Sequence, residues 1–244
     1  MKWLVAFISA CLLASCSTGL KTAYSNPAAV KKIDLSRRGI GKIPDQVFKC
    51  ENLEELILFK NNLTEIPADI GKLKHLRKLV LGRNDIVKLP PEIGELQELR
   101  YFTAVFNNLK TLPPEFGKLQ NLGTLNLEYN KLDSLPEEFG NLQKLAYLQL
   151  NNNSLRRLPA SFTNLKSLRT LNLYRNSLTA IPERVDSLKE LYELNLAFSG
   201  PTRFPAGLCS LSKLEYLYLD QYSTAPYCMN ARYRLRFHLI LLAQ

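Results

Sequence analysis

The chain has 244 residues, 46% of them hydrophobic, with 32 Lys and Arg against 22 Asp and Glu for a net charge of +10. That apolar content excludes an intrinsically disordered chain, and no apolar run reaches the roughly 20 residues a membrane-spanning helix needs. Two His (His75, His238) and five Cys, with no CxxC, HExxH, GxSxG or phosphate-cradling glycine loop, supply neither a metal centre nor a nucleophilic triad, so no enzymatic activity and no cofactor are expected.

Residues 1–15, MKWLVAFISACLLAS, place one Lys before an apolar run from Trp3 to Ala14, the pattern of a secretory signal. The run ends in Leu13-Ala14-Ser15-Cys16, which resembles a bacterial lipobox. The resemblance implies cleavage before Cys16, acylation of that residue, and membrane attachment through the lipid, since about two acyl chains give durable anchoring. Ser17 after the Cys resembles the outer-membrane sorting pattern, so the expected location is the bacterial cell envelope, the outer membrane before the inner. Residues 16–29 (CSTGLKTAYSNPAA) are small and polar and read as a flexible tether.

From Val30 the chain repeats every 23 residues. The clearest unit, LGTLNLEYNKLDSLPEEFGNLQK from Leu122 to Lys144, has apolar residues at positions 1, 4, 6, 11, 14, 18 and 21, Asn at 9 and Pro at 15. It recurs from Val30, Leu53, Leu76, Leu99, Leu145, Leu168, Leu191 and Leu214, and a fixed period of this size means stacked units. Positions 3 to 8 alternate like a strand with one buried face. Asn61, Asn84, Asn107, Asn130, Asn153 and Asn176 turn the chain at position 9 and predict a ladder of amides. Pro at position 15 predicts an extended or 3₁₀ return limb, Gly71, Gly94, Gly117 and Gly140 at position 19 a turn back to the sheet, and Phe116, Phe139 and Phe162 an inner column. One unit cannot bury enough apolar surface to offset its own ordering, so neighbouring coils must complete the core.

LxxLxLxxNxL followed by LPxxhxxL resembles the leucine-rich repeat family in its 23-residue form, over residues 30–222. The resemblance implies an α/β-type horseshoe solenoid, with a parallel sheet on the concave face and extended or 3₁₀ limbs on the convex face, and protein recognition on the concave side. The first unit departs from the pattern, with Arg38 at position 9 and Cys50 at position 21, as an end unit should. The eighth replaces its Asn turn with Ser199-Gly200-Pro201. Residues 223–244 read as a degenerate capping segment, in which Arg232–Ile240 predicts a terminal strand with Phe237, Ile240 and Leu242 at positions 1, 4 and 6 of a tenth copy. Cys209 and Cys228 fall on neighbouring return limbs, where an exported protein permits either a disulfide or two free thiols.

The residues the template leaves free on the open sheet face are unusually aromatic. Phe59, Tyr101, Phe106, Tyr129, Tyr147, Asn151, Tyr174, Arg175, Phe198 and Tyr216 make up the candidate partner-binding surface, a mixture of rings, amides and cations typical of interface anchors. The expected partner is a protein of the envelope or of a host surface. Two alternatives carry over: a glycan or cell-wall ligand held by the Asn126, Gln149, Asn172 and Asn195 column, and a cytosolic scaffold if the signal stays uncleaved. His75 reads as a solvated limb residue, and no nucleic-acid recognition motif is present.

Overall fold

The computed structural model describes residues 18–200, 204–223 and 238–242. Ten parallel strands follow one another in sequence order in a single sheet: β1 (Lys32–Asp34), β2 (Glu55–Ile57), β3 (Lys78–Val80), β4 (Tyr101–Thr103), β5 (Thr124–Asn126), β6 (Tyr147–Gln149), β7 (Thr170–Asn172), β8 (Glu193–Asn195), β9 (Tyr216–Asp220) and β10 (His238–Leu242). From β1 to β9 each residue pairs with the one a full period on, as Lys32 with Glu55 and Glu193 with Tyr216. The middle residue of each short strand, among them Leu56, Phe102, Leu125 and Leu148, is fully buried, and its neighbours face outward. A continuous column of Leu, Ile and Phe thus runs from Val30 to Leu219.

Each return limb enters through the position-15 Pro, whose φ lies between −59° and −74° at Pro44, Pro67, Pro90, Pro113, Pro136, Pro159 and Pro205. A 3₁₀ helix of five residues follows each of these, such as Pro114–Lys118 and Glu137–Asn141. The unit after Pro182 keeps only Val185–Ser187, and Val185 stands where the column has Phe116, Phe139 and Phe162. The phenylalanines are buried as expected, with the rings of Phe139 and Phe162 parallel at 6.1 Å.

The position-19 glycines are required by stacking between coils rather than by a turn. They lie within the 3₁₀ helices rather than at turns, and none of them has a positive φ. A Cβ on Gly94, Gly117 or Gly140 would overlap the carbonyl oxygen of Glu115, Glu138 or Ser161 in the next coil. Glycine is there because the convex limbs stack backbone against side-chain-free backbone.

The amide ladder forms in full. Each of Asn61, Asn84, Asn107, Asn130, Asn153 and Asn176 donates through Nδ2 to the carbonyl three residues before it and to one in the preceding coil, as Asn130 to Leu127 at 3.0 Å and Ala104 at 2.9 Å. Each Oδ1 accepts an N–H of the preceding coil, as from Leu109 at 3.0 Å to Asn130. In the eighth unit Ser199 covers both duties: its hydroxyl donates to Leu196 O, and its own carbonyl accepts from Leu178 N at 2.6 Å. The next residue, Gly200, has φ +111° and backs directly onto Leu178, so no side chain fits there.

Two expectations need correction. Residues 18–29 are not a flexible tether: Thr18–Ser25 is an α-helix (α1) and Pro27–Ala29 a 3₁₀ turn, with Ala23 fully buried. Gln46 Nε2 donates to Ala23 O and Asn52 Nδ2 to Ala28 O at 2.9 Å, so this segment closes the open end of the first coil. The last strand is also one residue out of phase with the expected tenth copy. His238 pairs with Tyr216 and Leu239 with Leu217, a step of 22 residues, which puts Leu239 rather than Ile240 against the core. A slip of one residue exchanges the faces of a strand. Phe237 lies outside the described residues, as do the signal, Cys16 and Cys228. Cys209 is disulfide-bonded and Cys50 is a buried free thiol whose pKa is raised by burial.

Candidate functional site: the open sheet face

Strand residues before and after each buried centre, together with positions 7 and 8, make the open face. The chain leaves each strand through position 8 in the left-handed region, at Arg37, Lys60, Arg83, Phe106, Tyr129, Asn152, Arg175 and Phe198, with φ from 51° to 57°. Such a backbone favours Gly or Asn, and only Asn152 is of that kind. Large cationic and aromatic side chains are therefore held at one rim of the face by the turn itself.

The aromatic residues are displayed unequally. Tyr101, Phe106, Tyr129 and Tyr147 are 37%, 43%, 43% and 47% exposed, the behaviour of rings the core does not use. Phe59, Tyr174, Phe198 and Tyr216 are half-buried, and Arg175 is exposed. They form local stacks: Phe106 lies parallel to Tyr129 at 4.2 Å with Arg83 over Phe106 at 5.0 Å, Tyr174 meets Phe198 edge-on at 5.7 Å beneath Arg175, and Lys78 sits 5.7 Å from the Tyr101 ring. Apart from Arg175 on Tyr174, these contacts join neighbouring coils, consistent with pairing of rings across adjacent strands.

Asn151 does not belong to the displayed surface. It is only 7% exposed, and its Nδ2 donates to Glu128 Oε2 at 3.1 Å, while Asn126 Nδ2 donates to the other carboxylate oxygen at 2.6 Å. The central amides are also committed. Asn126, Asn172 and Asn195 accept the N–H two residues on, from Glu128, Tyr174 and Ala197 at 3.0–3.1 Å, and Asp34 does the same for Ser36. Asx turns that end the strands explain this column and leave it fewer free groups for a sugar.

A groove of about 540 Å³ lies beside Tyr147, lined also by Arg169, Thr170, Tyr192, Glu193 and the ion pair of Lys213 with Glu190. Tyr192 is 41% exposed, and its hydroxyl is drawn to Glu215, which pushes its pKa well above the usual tyrosine range. Sequence reasoning missed Tyr192 because position 2 is elsewhere charged or small; an aromatic there was the available signal. Along the same edge Lys31, Glu54, Arg77, Glu98 and His75 form a chain of ion pairs, with Arg77 2.9 Å from Glu54 and 3.1 Å from Glu98, and His75 2.9 Å from Glu98. Hydrogen bonds from Lys31 to Glu54 and from His75 to Glu98 hold both carboxyls below the usual range. His75 is thus exposed but partnered.

The family described as "Leucine-rich repeat region" matches residues 68–145, 90–176 and 137–231, and "Leucine rich repeat" matches residues 28–86. The chain belongs to the leucine-rich repeat family. Among solved structures it is similar to a leucine-rich repeat protein of Leptospira interrogans, at 34% identity and a TM-score of 0.68, over 81% of this chain and 56% of that one. It is also similar to the plant peptide hormone receptor RGFR1 in complex with RGF2, at 33% identity and a TM-score of 0.63, over 74% of this chain and 31% of the receptor. An internalin of Listeria monocytogenes shares the fold at 19% identity and a TM-score of 0.75, over 94% of this chain and 65% of that one. This chain therefore spans about half the length of the Leptospira protein and about a third of the plant receptor. No curated protein matches it.

Proposed function

We propose that the protein is a non-enzymatic envelope lipoprotein whose open sheet face binds a protein partner. The observation that carries the reading is the display of Tyr101, Phe106, Tyr129 and Tyr147 at 37–47% exposure on a face whose core contacts need none of them. Rings of this kind, rimmed by polar groups, are the usual anchors of protein interfaces. The plant receptor with a similar repeat region is seen with a bound peptide hormone, which supports a polypeptide ligand. The engaged amides of Asn126, Asn172 and Asn195 favour protein over glycan.

Membrane attachment through Cys16 rests on the Leu13-Ala14-Ser15-Cys16 pattern, and places the repeat domain just beyond α1. Cys16→Ala is expected to move the protein from the membrane to the soluble fraction; unchanged retention would refute the anchor. The partner is tested by photo-crosslinking in native membranes from a probe replacing Tyr147, with the convex-face Lys118 position as control. A discrete protein adduct from Tyr147 alone is expected. Equal adducts from both positions, or none, would contradict a partner on the open face.

A further inference from the structure

Repeats one to three carry charge on the open face that the fold does not neutralise. Arg37, Lys60 and Arg83 are exposed, occupy consecutive position-8 sites, and enter no side-chain hydrogen bond or ion pair among the described residues. The acids nearest them on the face are already engaged: Asp34 accepts from the N–H and hydroxyl of Ser36, and Glu55 pairs with Lys32 at 3.0 Å. The turn does not call for cations, because its left-handed backbone is most comfortable with Gly or Asn. At about 4.8 Å per strand the three charges form a row of about 10 Å.

Apolar groups accompany the row. Ile57 and Val80 stand half-exposed on β2 and β3, and Val105 and Phe59 close over the buried Gly82, where an added Cβ would lie 2.8 Å from Val105 and 3.3 Å from Phe59. Beyond Arg83 the rim continues as the Phe106–Tyr129 stack. The other half of the face carries the half-buried Glu128 and Glu193 and the buried Asp220 among amides and tyrosines, with the exposed Arg175 stacked on Tyr174 at its rim.

We infer that the rim from Arg37 through Lys60 and Arg83 to Phe106 and Tyr129 holds an acidic segment of the partner polypeptide, its carboxylates over the cations and an apolar or aromatic side chain against the stacked rings. The inference rests on the proposed role of the open face in protein binding and adds to it the chemistry of the ligand. Carboxylates match the unpaired cations, and the apolar strip beside them requires side chains that a polyanionic sugar lacks. Three or four residues of extended chain, at about 3.3 Å each, span the row.

The test uses the full chain and a fluorescent peptide of four Glu-Glu-Phe repeats, beside a Gln-Gln-Phe counterpart, with binding read by anisotropy. The acidic peptide is expected to bind roughly tenfold tighter, by an amount that shrinks with added salt, and the triple variant R37E/K60E/R83E to erase the preference at unchanged melting temperature. Equal binding of the two peptides, a preference retained by the triple variant, or dextran sulfate outcompeting the acidic peptide at the same rim would overturn it. Crosslinking separates this inference from the reading beneath it. A Tyr147 adduct kept at full yield in the triple variant would overturn the acidic-segment assignment and leave the partner standing. Loss of that adduct in a folded triple variant supports both, and its absence in the wild type removes both.

Discussion

Asn130 offers the sharpest test of how the coils are held together. Its side chain is 8% exposed and bonds Leu127 O, Ala104 O and Leu109 N at 2.9–3.0 Å. Asn130→Ala removes three hydrogen bonds, each worth about 1 kcal/mol net, and leaves the buried Leu109 N–H without its partner, which costs about 1–3 kcal/mol in its own right. A loss of about 4–6 kcal/mol is expected in urea unfolding, read as an earlier midpoint. Asn130→Asp separates hydrogen bonding from volume. A carboxylate can still accept from Leu109 but faces two carbonyl oxygens, so the folded state favours the protonated acid and the folded pKa lies above the unfolded value of about 3.9. The deficit against wild type should then be smallest in acid and grow as pH rises through the folded pKa. Loss under about 1 kcal/mol for Asn130→Ala, or a pH-independent deficit for Asn130→Asp, would refute the ladder as a main fastening.

Other consequences follow from close packing and charge. Gly117→Ala should cost about 1–3 kcal/mol, because its methyl would overlap Glu138 O, whereas Gly123→Ala, with its nearest neighbour atom at 3.7 Å, should be near neutral; equal thermal shifts would contradict the stacking argument. Phe139→Ala empties the centre of the phenylalanine column and should cost about 3–5 kcal/mol in urea unfolding. Glu54 and Glu98 have lowered pKa values, so their ion pairs contribute above the unfolded carboxylate pKa and are lost as pH falls through the folded one. Stability of the wild type should drop in that acid window more than that of E54Q/E98Q, and the difference should shrink in high salt.

Much of the fold was legible because a solenoid repeats its constraints. Each coil must bury the same positions, so a buried Leu56 implies a buried Leu79 and Leu148, and an Asn at position 9 has one place to bond in every unit. Where the repetition stops, legibility stops. Helix α1 has few apolar residues and reads as linker, yet the fully buried Ala23 and the bond from Gln46 to its carbonyl tie it to the first coil. The one-residue phase change before β10 falls where the template has already faded, and short apolar runs fit either register. On the open face the positions were predictable but not their exposure. Asn151 sinks because Glu128 in the previous coil accepts from it, while Tyr147 stays out because Thr124 and Thr170 on either side are short.

The central claim is that the exposed rings serve recognition rather than packing. It is tested most directly by Phe106→Ser, Tyr129→Ser and Tyr101→Ser, each followed by both the Tyr147 crosslink and urea unfolding. The account predicts that the crosslinked adduct weakens strongly while stability changes by less than about 1.5 kcal/mol, the scale of one exposed aromatic contact. An intact adduct accompanied by a loss of several kcal/mol would show that the rings hold the coils together and that recognition lies elsewhere.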